Sequence, residues 1–213
     1  MADLDVYIYA NRNEYSYNNL AQGAVNPIDF ACQQLAAQTS ISDYNITLSD
    51  AYPGVDDPGI YEFHQNFEYW REGYTYSKGA HIGITDITGP DYTGYADGEP
   101  NDQTAFKNPK DAVVGSEDGV TEFFKNIVIQ ELLHLVIEED ISGVNTEDDE
   151  HDLGQVFPDS SDVSPMVTTY VGTHDTHGNC SSNQSFDAYA QTLTGCTLDA
   201  VDATFDERGS SIY

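Results

Sequence analysis

DGVTEFFKNIVIQELLHLVIEED, residues 118–140, is the chain's most strongly apolar-periodic stretch. Phe123, Phe124, Ile127, Val128, Leu132, Leu135 and Val136 recur at the spacing of a helix with one buried stripe, and Gly143 stands just past its end. Residues three and four apart on a helix share a face. Gln130, Glu131 and His134 therefore project together, with Glu138 one turn further along the row. A carboxylate flanked by Ile129, Leu132 and Leu133 is costly to bury without a partner. A divalent metal answers that need, since neutral imidazole binds the ion and a nearby carboxylate takes the proton of an activated water.

Upstream, residues 4–10 (LDVYIYA) alternate in polarity and predict a strand. Asn26-Pro27 predicts a helix start, with Asn as N-cap, followed by Ile28, Phe30, Ala31, Leu35 and Ala36 at helical spacing. Residues 44–52 (YNITLSDAY) predict a second strand closed by Pro53-Gly54, and the aromatic run 61–70 (YEFHQNFEYW) a short helix. Residues 79–88 (GAHIGITDIT) and 111–116 (DAVVGS) predict two more strands, separated by a loop rich in Gly, Pro, Asp and Asn. After the long helix the chain turns polar, with helices expected only near 185–193 and 198–205. This order predicts a single α/β (α+β) domain. A twisted mixed sheet with the long helix forms an upper lobe, about 1–143, and a loop-rich lower lobe spans about 144–213.

Among 213 residues, 37 are Asp or Glu and 7 are Lys or Arg, for a formal net charge of −30. Nucleic acid and anionic membrane surfaces repel such a chain, and no apolar run is long enough to span a bilayer. At 39% apolar and 12% aromatic residues, a core can nevertheless form. Self-repulsion of this size is tolerable mainly where salt screens it, and the composition resembles that of secreted proteins of extreme halophiles. An extracellular, high-salt location and a monomeric state are expected. The start, Met1-Ala2-Asp3-Leu4-Asp5, lacks the features of a secretory signal and is read as a mature form with an added Met. Cys180 and Cys196 are spaced for a local disulfide, leaving Cys32 alone in a helical pattern. Asn45-Ile46-Thr47 and Asn183-Gln184-Ser185 read as glycosylation sequons.

Gln130-Glu131-Leu132-Leu133-His134 resembles the His-Glu-x-x-His helix of metzincin-like zinc peptidases, with Gln in place of the first His. Downstream, Ser164-Pro165-Met166 resembles the family's Ser-x-Met turn, and Glu150-His151-Asp152-Leu153-Gly154 supplies an isolated His. The resemblance implies a zincin-like fold, Glu131 as general base, His134 as zinc ligand and Met166 beneath the metal. His151 is then the third ligand across an insertion, residues 135–150, longer than the family's spacing. Gln130 is a weaker donor than imidazole. Replacement ligands are available in Gly172-Thr173-His174-Asp175-Thr176-His177, through His174 or His177, or in Glu138. His64 and His81 are read as structural.

No Gly-x-Ser-x-Gly elbow, activated thiolate or Gly-rich phosphate loop is present. The acidic run 145–152 offers oxygen donors for calcium but lacks EF-hand spacing, and reads as a solvated loop. Three functions follow. The first is a secreted zinc metalloendopeptidase acting on a peptide or protein substrate laid along an upper-lobe edge strand, with subsites supplied by the aromatic-rich surface. The second is an inactive binding or structural protein on the same scaffold. The third is a calcium-dependent surface protein without zinc.

Overall fold

Strand β1 (Ala2–Ala10) sets the layers, because its alternation sends Leu4, Val6 and Ile8 into one core and Tyr9 into another. In the computed structural model the described residues are 2–56, 59–75, 77–87, 94–96, 110–146, 150–167, 180 and 186–208. β1 is an interior strand, next to the β2 edge, of a mixed sheet ordered β2-β1-β3-β5-β4. β2 (Ile41–Leu48) and β3 (Ala80–Thr85) flank β1 in parallel, and β5 (Lys110–Gly115) runs parallel to β3. The short strand β4 (Gly94–Ala96) closes that edge antiparallel to β5, with Gly94 opposite Val114.

The two faces are covered differently. Ala80, Ile82 and Ile84 of β3 and Ala112 and Val114 of β5 join the β1 residues in the larger core, beneath helices α1 (Tyr15–Gln38) and α3 (Glu122–Val136). On the opposite face, helix α2 (Ile60–Tyr74) packs Ile60, Phe63 and Phe67 against Tyr9 and Val113. Phe63 and Phe67 of the 61–70 stretch thus fill a second core behind the sheet, with Trp70 partly buried against it, while Tyr61 and Tyr69 stay exposed. Fully burying side chains of this size contributes roughly 1.5–3 kcal/mol each.

Under α2 lies a polar cluster. Arg71 Nε donates to Asp111 Oδ1 at 2.8 Å and Arg71 Nη2 to Asp111 Oδ2 at 2.5 Å, both residues being only 4% exposed. His64 Nε2 donates to the Asp111 carbonyl at 3.2 Å. His81 donates from Nε2 to the Ser77 carbonyl and accepts the Tyr9 hydroxyl at Nδ1, and burial lowers its pKa to about 4, so the ring stays neutral. Both histidines have the structural roles expected of them.

α1 begins at Tyr15 rather than Asn26, so Pro27 sits inside the helix and Asn26 is no cap. An interior proline costs about 3 kcal/mol. Burial of Tyr17, Leu20, Ala21 and Ala24 upstream and of Ile28, Ala31 and Leu35 downstream outweighs it. β2 starts three residues earlier than predicted and stops at Leu48. The long helix is capped by Thr121, whose side chain accepts from Phe124 N at 3.0 Å, and it ends at Val136.

The described part of the C-terminal third joins the larger core through one helix and carries a small cluster of its own. Helix α4 (Gly195–Arg208) includes the predicted 198–205 segment and returns Leu198, Val201 and Phe205 to the larger core. The helix expected near 185–193 is overturned over the described part: Ala188–Tyr189 is a strand, β7, paired with β6 (Asp162–Val163). A small cluster of Val156, Val163 and Val167 lies beneath this pair. Among the described residues no helix is long and apolar enough to cross a membrane.

Cys180 and Cys196 form the disulfide read from the sequence, and Cys32 is free and buried. The bridge closes a loop of 16 residues onto the start of α4. A closed loop of this length contributes about 3 kcal/mol in the chain-entropy picture. Cys180→Ser/Cys196→Ser is expected to lower unfolding free energy in denaturant titration by about that amount. An unchanged midpoint would mean that α4 is held by its apolar face alone.

Candidate metal centre

The buried face of α3 turns three polar groups toward the segment after it. Gln130 and Glu131 are 2% and 3% exposed, and His134 follows one turn on. The helix stops at Val136, and Ile137 is extended (φ −107°, ψ 148°), so Glu138 leaves the row on which the sequence reading placed it. Its backbone N–H instead donates to Thr204 Oγ1 of α4 at 3.2 Å. Gly143, at φ +112°, provides the turn that brings the chain back toward the helix.

The returning chain forms a 3-10 turn at Glu150–Leu153, which places His151 beside α3. The His134 and His151 rings meet edge to face with centroids 4.8 Å apart. Gln130 Nε2 donates to His151 Nε2 at 3.1 Å. His134 Nδ1 donates to Glu150 Oε2 in a close contact. Thus Gln130, Glu131 and His134 come together with His151, seventeen to twenty-one residues further on, with Glu150 as a member the sequence reading did not assign. His174 and His177 lie outside the described residues.

Two contacts hold the 3-10 turn in place. Thr194, the N-cap of α4, and Thr197 both donate to the Leu153 carbonyl, at 2.5 and 3.0 Å. On its other side, Gly154 lies so close to Met166 that a Cβ there would stand 2.3 Å from the Met166 carbonyl carbon and oxygen. Met166 is fully buried in a turn closed by Val167 N donating to Ser164 O at 3.3 Å, and Ser164 Oγ accepts from Gln155 N at 2.9 Å. The Ser-Pro-Met turn therefore backs the segment that carries His151.

Gln130 Oε1 and Glu131 Oε2 are buried and have no hydrogen-bond partner. Leaving a buried polar atom unsatisfied costs roughly 1–3 kcal/mol, and these two belong to consecutive residues of α3. Burial pushes the Glu131 carboxyl up to about 7, with His134 opposing and the Glu150 charge adding to the shift. Among the described residues no group of three or more His, Cys, Asp or Glu is arranged to hold a metal. The set that is present consists of two imidazoles and one amide. Its chemistry fits a divalent ion more weakly than three imidazoles would, and the orphaned oxygens next to it are the observation that supports such a fit.

The edge strand completes the surroundings. A Cβ on Gly94 would stand 2.3 Å from Glu131 Oε1, so β4 passes directly over the carboxylate. Tyr95 points the other way, against Tyr61 and His64. Gly94 was hidden in the sequence by a loop rich in turn-forming residues; its one available signal was a glycine in a three-residue run, Gly94-Tyr95-Ala96, able to form an edge strand. Gly94→Ala is expected to push β4 and the Glu131 carboxylate apart and to lower unfolding free energy in denaturant titration by about 1–3 kcal/mol, the usual cost of overpacking. An unchanged midpoint would show that β4 does not constrain this group.

Compared with known proteins, the chain matches no family model and no curated protein at significant similarity.

Proposed function

We propose that the protein is a zincin-like, zinc-dependent endopeptidase, secreted into a high-salt environment. The observation that carries the proposal is the convergence of His134, His151 and the Gln130 amide beside a buried, unpartnered carboxylate oxygen of Glu131. A mixed sheet with an antiparallel edge strand above the helix supports it, as does the Met166 turn behind His151. The disulfide and the charge of −30 support the secreted, saline setting.

His134 and His151 would hold the ion, with the Gln130 oxygen as a weak third donor and His174 or His177 as alternatives to it. When bound, zinc supplies Lewis acidity that acidifies a water and polarises a substrate carbonyl. Glu131 accepts a proton at Oε2, the oxygen with no internal partner, and passes it to the leaving amine. A pKa near neutrality suits both halves of that transfer. β4, with Gly94 and Ala96 on the side facing α3, is the edge strand of the described sheet along which an extended peptide would pair by its backbone.

A second reading rests on Gln130 itself, which occupies the expected position of an imidazole and already engages His151. Under it the scaffold is an inactive binding protein. Metal analysis of protein dialysed against equimolar zinc in high salt separates the two, together with a peptide-hydrolysis assay. One zinc per chain, lost in both His134→Ala and His151→Ala, with peptide cleavage, is expected. Zinc bound without cleavage selects the inactive scaffold, and calcium bound without zinc selects a calcium-dependent surface protein.

A further inference from the structure

We infer that Glu150 is a positioning residue for His134: its carboxylate accepts a hydrogen bond from the ring's Nδ1–H and so makes Nε2 the nitrogen that accepts a cation. This rests on the metal-site reading above and adds to it the residue that orients one of its ligands. Neutral imidazole has one protonated and one bare nitrogen, and which is which depends on the partner that the ring finds. At position 134 that partner is Glu150 Oε2, bonded to Nδ1. Both side chains are shielded, Glu150 at 8% and His134 at 15% exposure, so water competes poorly for the proton. A carboxylate acceptor on the outer nitrogen fixes the tautomer, sets the ring's direction and raises the basicity of the inner nitrogen.

The acceptor is itself held in place. Glu150 N donates to Glu139 Oε1 at 3.0 Å, anchoring the first residue of the 3-10 turn to the chain just beyond α3. Leu153 at the other end is fixed by the two threonines of the α4 start. Fifteen residues thus separate the His134 ring from the carboxylate that bonds it, and the neighbouring His151 meets Gln130. The long insertion has a chemical use on this account: a single turn presents one ligand and the orienting group of another.

The test compares wild type, Glu150→Ala and Glu150→Gln for zinc affinity by chelator competition. It adds the His134 tautomer from nitrogen-15 NMR of the metal-free protein at mildly alkaline pH. Wild type is expected to show the Nδ1–H form. Glu150→Ala should lose that form and bind zinc about 10- to 100-fold more weakly, the usual cost of removing an orienting group behind a ligand. Glu150→Gln retains an oxygen acceptor, so it should keep the tautomer and lose less affinity. Equal zinc affinity in all three proteins, or an Nδ1–H ring in Glu150→Ala, overturns the inference. A change in the number of zinc ligands in Glu150→Ala would also overturn it, since Glu150 would then be a direct ligand. A wild type that binds no zinc overturns the metal reading, and the tautomer comparison, made without metal, then decides separately whether Glu150 sets the proton on His134.

Discussion

Glu131→Gln is expected, on the endopeptidase reading proposed above, to lower peptide hydrolysis steeply and, in the metal-free protein, to increase stability at alkaline pH. The first effect follows from removal of a general base, typically a loss of about 10²- to 10⁴-fold in turnover. Zinc content should not change on that reading, because it places Glu131 outside the ligands. The second effect follows from the burial that raises this carboxyl from its ordinary value of 4.5 to about 7. A group with a raised folded-state pKa contributes stability that is fully present below its unfolded value and is lost as pH climbs through the folded one. The glutamine variant has no charge to desolvate. Its stability should match wild type at pH 4 and exceed it above pH 7 by about 3 kcal/mol, from the size of the shift. Denaturant titrations at pH 4 and pH 8 read the difference. An equal gap at both pH values would mean that Glu131 is ionised in an accessible setting, and retained hydrolysis would remove it from the chemistry.

Arg71→Leu is expected to cost about 3–5 kcal/mol of unfolding free energy, the range for removing one partner of a buried ion pair. The bidentate contact with Asp111 is the principal charged interaction in the second core, and the change strands the carboxylate behind α2 without its donor. Burial outweighs even the neighbouring guanidinium and pushes the Asp111 carboxyl up to about 6, so the pair gains little over an apolar one. The double variant Arg71→Leu/Asp111→Leu should therefore recover most of the loss. Salt distinguishes this pair from the rest of the molecule. A protein of net charge −30 should gain stability as salt rises, whereas the loss from Arg71→Leu should be similar in dilute buffer and in brine, because the pair is shielded from ions. A loss below 1 kcal/mol, or one that vanishes in high salt, would place the pair at the surface in solution.

The parts of the fold readable from sequence were those in which one local pattern dominates. The alternation of Leu4, Val6 and Ile8 and the apolar stripe of α3 each specify an element by themselves. Pro27 misled because a local breaker was weighed without the burial on both sides of it, which only the sheet supplies. β4 escaped because three residues carry too little periodicity, and because its reason for being small, the Glu131 carboxylate, lies more than thirty residues away. α4 was shortened because its first turn is defined by the Thr194 cap and the Cys196 bridge, neither of which has a periodic signature.

For the candidate site, Gln130, Glu131 and His134 were legible as one helical face, while their relation to His151 depends on how an irregular strap folds back. Glu138 was misplaced for the same reason: the row of helical positions ends when Ile137 turns extended. Glu150 was in plain view beside His151, yet its part depends on the rotation of a side chain toward a ring on another element.

X-ray absorption at the zinc edge of the zinc-loaded protein in high salt probes the ligand shell directly. Two imidazole nitrogens with oxygen completing the shell, falling to one imidazole in His151→Ala, is the result predicted for an ion held by His134 and His151. A shell without imidazole, or no zinc taken up at equimolar concentration, would contradict it.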